Sequence, residues 1–238
     1  MVKAVIRKFI RLPHHINSVR CIKSCADGDY FVARGDVPYQ CQFTTPKNTK
    51  LILEGKMKAE DDPRWQEFGF ATKQEAAYWM QRGCGVACIK MLVDFTGKIL
   101  SFADLTGQGV QLGGYDTRND KGWYYKPLLE LGKKHGLQGV TTSHCTNDEL
   151  ANGIIQHKFY IASVNPQIIR GDKIITSTQK SGHLILVIGV RVTRGAVAGF
   201  YIHNPSGKSE PMRQKAFIPV SVFGQSYGNR GIWINSPV

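Results

Sequence analysis

Apolar positions recur at helical spacing after Gly85. Ala87, Cys88, Met91, Leu92 and Phe95 fall on one stripe, which predicts a buried helix face. The pattern extends backwards, so residues 76–96 read as a helix broken at Gly83. "SFADL" predicts a short helix with Ser101 as cap, and "WYYKPLLELGKKHG" a helix ending at Gly136. "TNDELANGIIQH" predicts another, opened by a capping box in which Thr146 is followed three positions on by Glu149. "QGVQLGGYDTRNDKG" reads as a loop. Past residue 157 the pattern changes to short apolar runs bounded by turn residues. "KFYIASVN", "HLILVIGV" and "VAGFYIHN" predict strands, the last two joined by a tight turn around "TRGA". "AFIPVSVF" and "GIWINSP" close the chain. Helices first and strands later predict an α+β domain rather than alternating βαβ units.

Two regions stand apart from this order. Residues 1–35 read as a small, basic, β-rich lead-in, with "AVIRKFIRL" and "DYFVARGDV" as strand-like runs broken at Pro13 and "ADGD". Residues 36–238 then form the main domain. Within it, residues 43–75 are polar and irregular, long for a loop, and read as an insertion or flap bordering a cleft.

Composition narrows the class. Hydrophobic residues make up 42% of the 238, enough for a substantial core. No stretch approaches the roughly 20 apolar residues of a membrane span. The N-terminus lacks the apolar run and cleavage site of a signal peptide, so the expectation is a cytoplasmic protein. The six cysteines are scattered, and their close pairs are C-x3-C, which fits neither a disulfide framework nor the usual zinc spacing. Net charge is +13, and Lys3, Arg7, Lys8, Arg11, Arg20 and Lys23 all precede the first acidic residue, Asp27. Such a field favours acidic partners. No nucleic-acid-binding signature accompanies it, so the arm reads as a solvated face.

The candidate chemistry begins at "RGCGVACIKM". Cys88 belongs to the apolar stripe and reads as core. Cys84 sits between Gly83 and Gly85 at the helix start, where unpaired N–H groups and the positive end of the helix dipole favour a thiolate and lower its pKa. The glycines would keep side chains away from an approaching substrate. A nucleophile needs a base. Of seven histidines, His14 and His15 lie in the lead-in, and His135 and His157 at helix C-termini. His183 opens the strand "HLILVIGV", and the next strand ends in "IHNP". In an antiparallel hairpin looping at Thr193-Arg194, His183 lies opposite Asn204. With the loop at Arg194-Gly195, it faces Ser206 and Asn204 is the diagonal neighbour. An odd-length loop would put His203 on that face instead. Asn-Pro and Pro-Ser-Gly are also ordinary turn starters.

In order, "RGCGVACIKM", "KFYIASVN", "SGHLILVIGV", "YIHNPSG" and "VFGQSYGNRGIWI" resemble bacterial papain-like cysteine peptidases, and in particular the bacteriocin-processing peptidase family (family C thirty-nine) and its stand-alone relatives. The resemblance covers residues 36–238. It implies a papain-like α+β fold, with the nucleophile at a helix N-terminus packed on a C-terminal antiparallel sheet. It implies hydrolysis of peptide or protein substrates by Cys84 as nucleophile, His183 as base and Asn204 as orienting group, with no metal or organic cofactor. The family more often has Asp at the position of Asn204, which leaves room for an inactive, binding relative. An acyltransferase or amidase would use the same residues. The family's oxyanion Gln matches Gln42 in "VPYQCQF", with Gln81 as the competitor and Gln40 as a third choice.

Overall fold

The computed structural model describes residues 17–236. The strand-like run "AVIRKFIRL" lies outside the described residues. Of the rest of the lead-in, residues 17–24 form a helix, α1, and Gly28–Phe31 forms strand β1. The β-rich reading of the lead-in contained no such helix. Nor does β1 stand apart: it pairs antiparallel with Gly189–Val192 of the main sheet.

Helices come next. They are α2 (Thr49–Leu53), α3 (Lys73–Met80), α4 (Cys84–Phe95), α5 (Phe102–Gln111) and α6 (Tyr125–Lys134). Strand β2 (Gly139–Thr142), α7 (Asn147–Ile155), β3 (Lys158–Val164) and α8 (Pro166–Ile169) lead to the hairpin β4 (His183–Thr193) and β5 (Ala196–His203). Strand β6 (Ala216–Pro219), α9 (Val220–Ser226) and β7 (Tyr227–Asn235) complete the order. The strands make one antiparallel sheet in the order β2-β7-β3-β4-β5-β6, with β1 on β4 beyond the reach of β3.

Each boundary has a local cause. Ser101 accepts from Asp104 N at 2.9 Å and starts α5, which runs on to Gln111, further into the glycine-rich stretch than its composition suggests. The capping box of α7 is complete: the Thr146 side chain accepts from Glu149 N, and Glu149 accepts from Thr146 N. Gly136 ends α6 with φ +96.

The polar stretch 43–75 is a packed shoulder. Buried Asp62 ties it together, accepting from Thr45 Oγ1 at 2.7 Å and Arg64 N at 3.0 Å. Phe68 stacks on Phe102 of α5 at 4.4 Å.

Helix α4 is buried almost all round rather than along one stripe. Val86, Ala87, Cys88, Ile89, Met91, Leu92 and Val93 are all inaccessible. Its polar edge is Lys90 and Asp94, paired at 2.9 Å one turn apart. Strand β4 is buried without interruption from His183 to Val190, so both faces of the sheet are covered there. Helix α4 and strand β4 pack against each other.

The glycines around Cys84 are required by packing. Gly83 has φ −78, which any residue can adopt. A Cβ there would stand 2.5 Å from Phe102 Cζ and 2.9 Å from the Trp79 carbonyl oxygen. One on Gly85 would stand 2.9 Å from both Leu128 Cδ1 and Trp123 Cγ. The expectation that they clear a path for substrate is therefore corrected: they let the neighbouring side chains close onto the helix start. Gly83→Ala should cost about 1–3 kcal/mol of folding stability by overpacking against Phe102, read as a lower urea midpoint. An unchanged midpoint would mean the Phe102 ring yields freely.

Candidate active site

A cleft of about 880 Å³ opens over the N-terminus of α4 and is lined by Gln42, Gln81, Cys84, Ser163, Arg170 and His183, among others. No residue of 43–75 lines it. Cys84 is the first residue of α4 and is half-buried. Its N-cap, Gly83, brings no side-chain cap, so the first N–H groups of the helix stay available to an anion.

His183 reaches the cleft from the first position of β4 and is itself buried. Its Nε2 lies 2.8 Å from Asn204 Oδ1 and 3.1 Å from Ser206 Oγ. The hairpin explains both contacts. Thr193 pairs with Ala196, so the loop is Arg194-Gly195, with φ +52 and +66 as a tight two-residue turn demands. Two register shifts follow, one between Arg191 and Val192 and one between Val187 and Gly189. The shifts cancel, and Leu186 faces His203 in the original frame. Extrapolated three residues further, that frame sets His183 opposite Ser206 with Asn204 diagonal. His203 faces away from the cleft. Its Nδ1 accepts from Lys215 N at 3.0 Å and its Nε2 donates to the Val37 carbonyl at 3.0 Å, so it is a structural residue.

The donors around Asn204 assign the tautomer of His183. Ser206 N donates to Asn204 Oδ1 at 3.2 Å, which fixes that atom as the amide oxygen. An oxygen can only accept, so His183 Nε2 carries the proton. The lone pair is on Nδ1.

Gln42 is buried, and its Nε2 donates to the Met80 carbonyl at 2.8 Å. That bond fixes the amide and leaves one N–H of Nε2 uncommitted. Gln81 also lines the cleft, but its Nε2 bonds back to Ala77 within its own helix at 3.4 Å. Gln40 donates to the neighbouring Cys41 carbonyl at 2.7 Å and does not line the cleft.

Electrostatics correct one expectation. Burial pushes the Cys84 thiol above its ordinary pKa, although the Leu184 N–H, the Arg170 guanidinium and the N–H groups of the helix start pull it down. Burial, with Arg170 adding to it, pushes His183 down to about 3, against the hydrogen bond to Asn204. The free protein thus holds a neutral thiol and a neutral imidazole in one cleft, not the lowered thiolate that the helix dipole alone predicts. Desolvation at this depth outweighs the dipole.

Two further residues belong to the site: Ser206, buried at the end of the hairpin within the run "YIHNPSG", and Arg170, which follows α8 and carries no sequence motif. Arg170 Nε and Nη2 donate to Ser206 Oγ at 2.9 and 2.6 Å. The register argument named Ser206. Only the fold brings Arg170 to it.

Residues 36–231 match the model of a family described as "Peptidase_C39 like family". Among solved structures, the chain is similar to a C39-like peptidase from Bacillus anthracis. Identity is 16%, with 64% of this chain and 88% of that one covered and a TM-score of 0.45. It is also similar to the peptidase domain of Streptococcus ComA, a bifunctional ABC transporter of a quorum-sensing pathway. Identity is again 16%, with 65% of this chain and 92% of that one covered and a TM-score of 0.44. No curated protein matches the chain.

Proposed function

Because the chain belongs to the C39-like peptidase family, we propose that it is a cysteine peptidase that cleaves peptide bonds through Cys84, His183 and Asn204 and an acyl-enzyme intermediate. The observation that carries this reading is the pinned imidazole. His183 Nε2 is held by Asn204 at 2.8 Å, in the cleft that Cys84 enters at the head of α4.

The chemistry follows from the tautomer. Nδ1 of His183 accepts the thiol proton as Cys84 Sγ attacks the substrate carbonyl. The developing oxyanion is met by the Cys84 N–H at the helix start and by the uncommitted N–H of Gln42, which the Met80 carbonyl holds in place. His183 passes the proton to the leaving amine. The amine departs, and Cys84 keeps the acyl group as a thioester. Water, deprotonated by His183, releases the acid and restores the thiol. Asn204 orients the ring without adding a negative charge, so His183 works as a neutral base. The six cysteines carry no disulfide, which suits the cytoplasm, where we place the protein.

The test is cleavage of a peptide pool, read by mass spectrometry. Wild-type protein should generate new termini. Cys84→Ala should generate none, and quenched wild-type reactions should carry an acyl mass on the Cys84 peptide. Cleavage that survives in Cys84→Ala would end this reading.

A further inference from the structure

The cleft holds more positive charge than its own acids can balance. Arg82, Lys121, Arg170 and Arg230 line it, with Asp120 as the single carboxylate among the lining residues. Asp120 is already engaged: Arg82 grips both its oxygens at 2.8 Å, and the Tyr115 hydroxyl donates to it. Among the described residues, Lys121, Arg170 and Arg230 have no ion pair. Asp172, the carboxylate that acts on Arg170, is bound to Lys208 at 2.7 Å.

Arg170 is the innermost of these cations. Both its hydrogen bonds go to the buried Ser206 Oγ, which stands 3.1 Å from His183 Nε2. The guanidinium therefore lies two hydrogen bonds from the base, and it acts directly on the Cys84 thiol. Ser206 takes the Nε edge of the fork. The Nη1–Nη2 edge has no acceptor among the described residues, and that edge matches a carboxylate in a bidentate pair. Removing a guanidinium from bulk water without a counter-charge is costly. The cost is offset when a ligand supplies the missing anion.

We propose that Arg170 binds a carboxylate of the substrate, and that the enzyme is selective for peptides carrying a carboxylate within one or two residues of the scissile bond. This rests on the peptidase reading above. The carboxylate is either a C-terminus or a Glu or Asp side chain, and both present the same two oxygens. Arg230 and Lys121, exposed at the cleft mouth, add a field that gathers acidic peptides.

The experiment uses one pool of tetrapeptides, whose C-terminus lies on the second residue beyond the central bond. Each is made with Glu or Gln next to the central bond, and with its C-terminus as free acid or amide. Cleavage by wild type is followed by mass spectrometry, and retention of the same pool on immobilised Cys84→Ala protein reports binding without turnover. Carboxylate-bearing members should be cleaved and retained about 10–100-fold better than their neutral counterparts, the range expected of a charge-assisted bidentate pair. The Glu/Gln and acid/amide arms identify which carboxylate is read. Arg170→Gln should bring the ratio close to one, and Arg170→Lys should restore part of it. Equal cleavage and retention of acidic and neutral members by protein with Arg170 intact would overturn the proposal, whether or not the variants fold. So would an Arg170→Gln protein that slows both classes equally and keeps the ratio. A carboxylate preference in retention with no cleavage would instead sink the peptidase reading and leave Arg170 as the reader of the carboxylate.

Discussion

Replacing His183 with alanine is expected to lower kcat/KM for peptide cleavage by about 10³-fold or more, with the fold intact by circular dichroism. The loss is large because Cys84 cannot compensate. Its thiol is pushed above the ordinary range by burial, so at neutral pH little thiolate forms unless a base removes the proton as attack proceeds. In the proposed mechanism His183 Nδ1 is that base, since Nε2–H is committed to Asn204. Among the described residues no other histidine lines the cleft, and the buried His203 has both nitrogens bonded to backbone groups, at 3.0 Å each. Asn204→Ala should cost less, about 10–100-fold. Ser206 Oγ, 3.1 Å from the same Nε2, remains to hold the ring. The ordering of the two variants is the informative part. If His183→Ala stays within tenfold of wild type while Cys84→Ala is dead, the imidazole is not the base and the proton leaves by another route.

The sequence made the site legible to the extent that it lies on regular elements. Cys84 was readable because the break at Gly83 marks a helix start, and Cys88 because it falls on the apolar stripe. His183 and Asn204 followed from strand alternation, which needs only the parity of the hairpin loop. The two register shifts inside the hairpin were invisible, and they spared the argument only because they cancel. A single shift would have presented His203 to the cleft. What sequence periodicity could not show depends on contacts between distant segments. The reason for Gly83 is Phe102, and the reason for Gly85 is Trp123 and Leu128. Strand β2 is short and partly exposed, and only its pairing with β7 defines it. Arg170 lies where no periodic signal runs, and its place beside His183 depends on Ser206 accepting from it. The reversed sign of the thiol shift has the same origin, since dipole and charge can be read from a helix start, whereas burial is a property of the finished fold.

The second large effect is on stability in acid. His183 titrates near 3 in the folded protein and at about 6.5 in an unfolded chain. Below pH 6.5 the unfolded chain takes up a proton that the folded protein refuses, so stability falls as pH falls. The loss is about 1.4 kcal/mol per pH unit, and it ends near pH 3, where the folded imidazole also protonates. Above 6.5 the residue contributes no slope. Carboxylates confuse the picture below about pH 5, so the diagnostic window is 6.5 to 5, where His183 alone should remove roughly 2 kcal/mol. His203 and His135 are depressed by burial as well and steepen the same window. The measurement must therefore compare wild type with His183→Gln, by urea unfolding at several pH values. The variant should lose one proton's worth of slope, about 1.4 kcal/mol per unit, whatever its absolute stability. Parallel slopes would mean that the folded imidazole protonates near its ordinary pKa, and the neutral thiol–imidazole pair would give way to an ion pair. The same depression leaves the imidazole unprotonated throughout the neutral range. The neutral Asn204 lets that state persist, because it holds the ring without the charge that would stabilise imidazolium. Its cost is instability in acid, set by the same buried nitrogen.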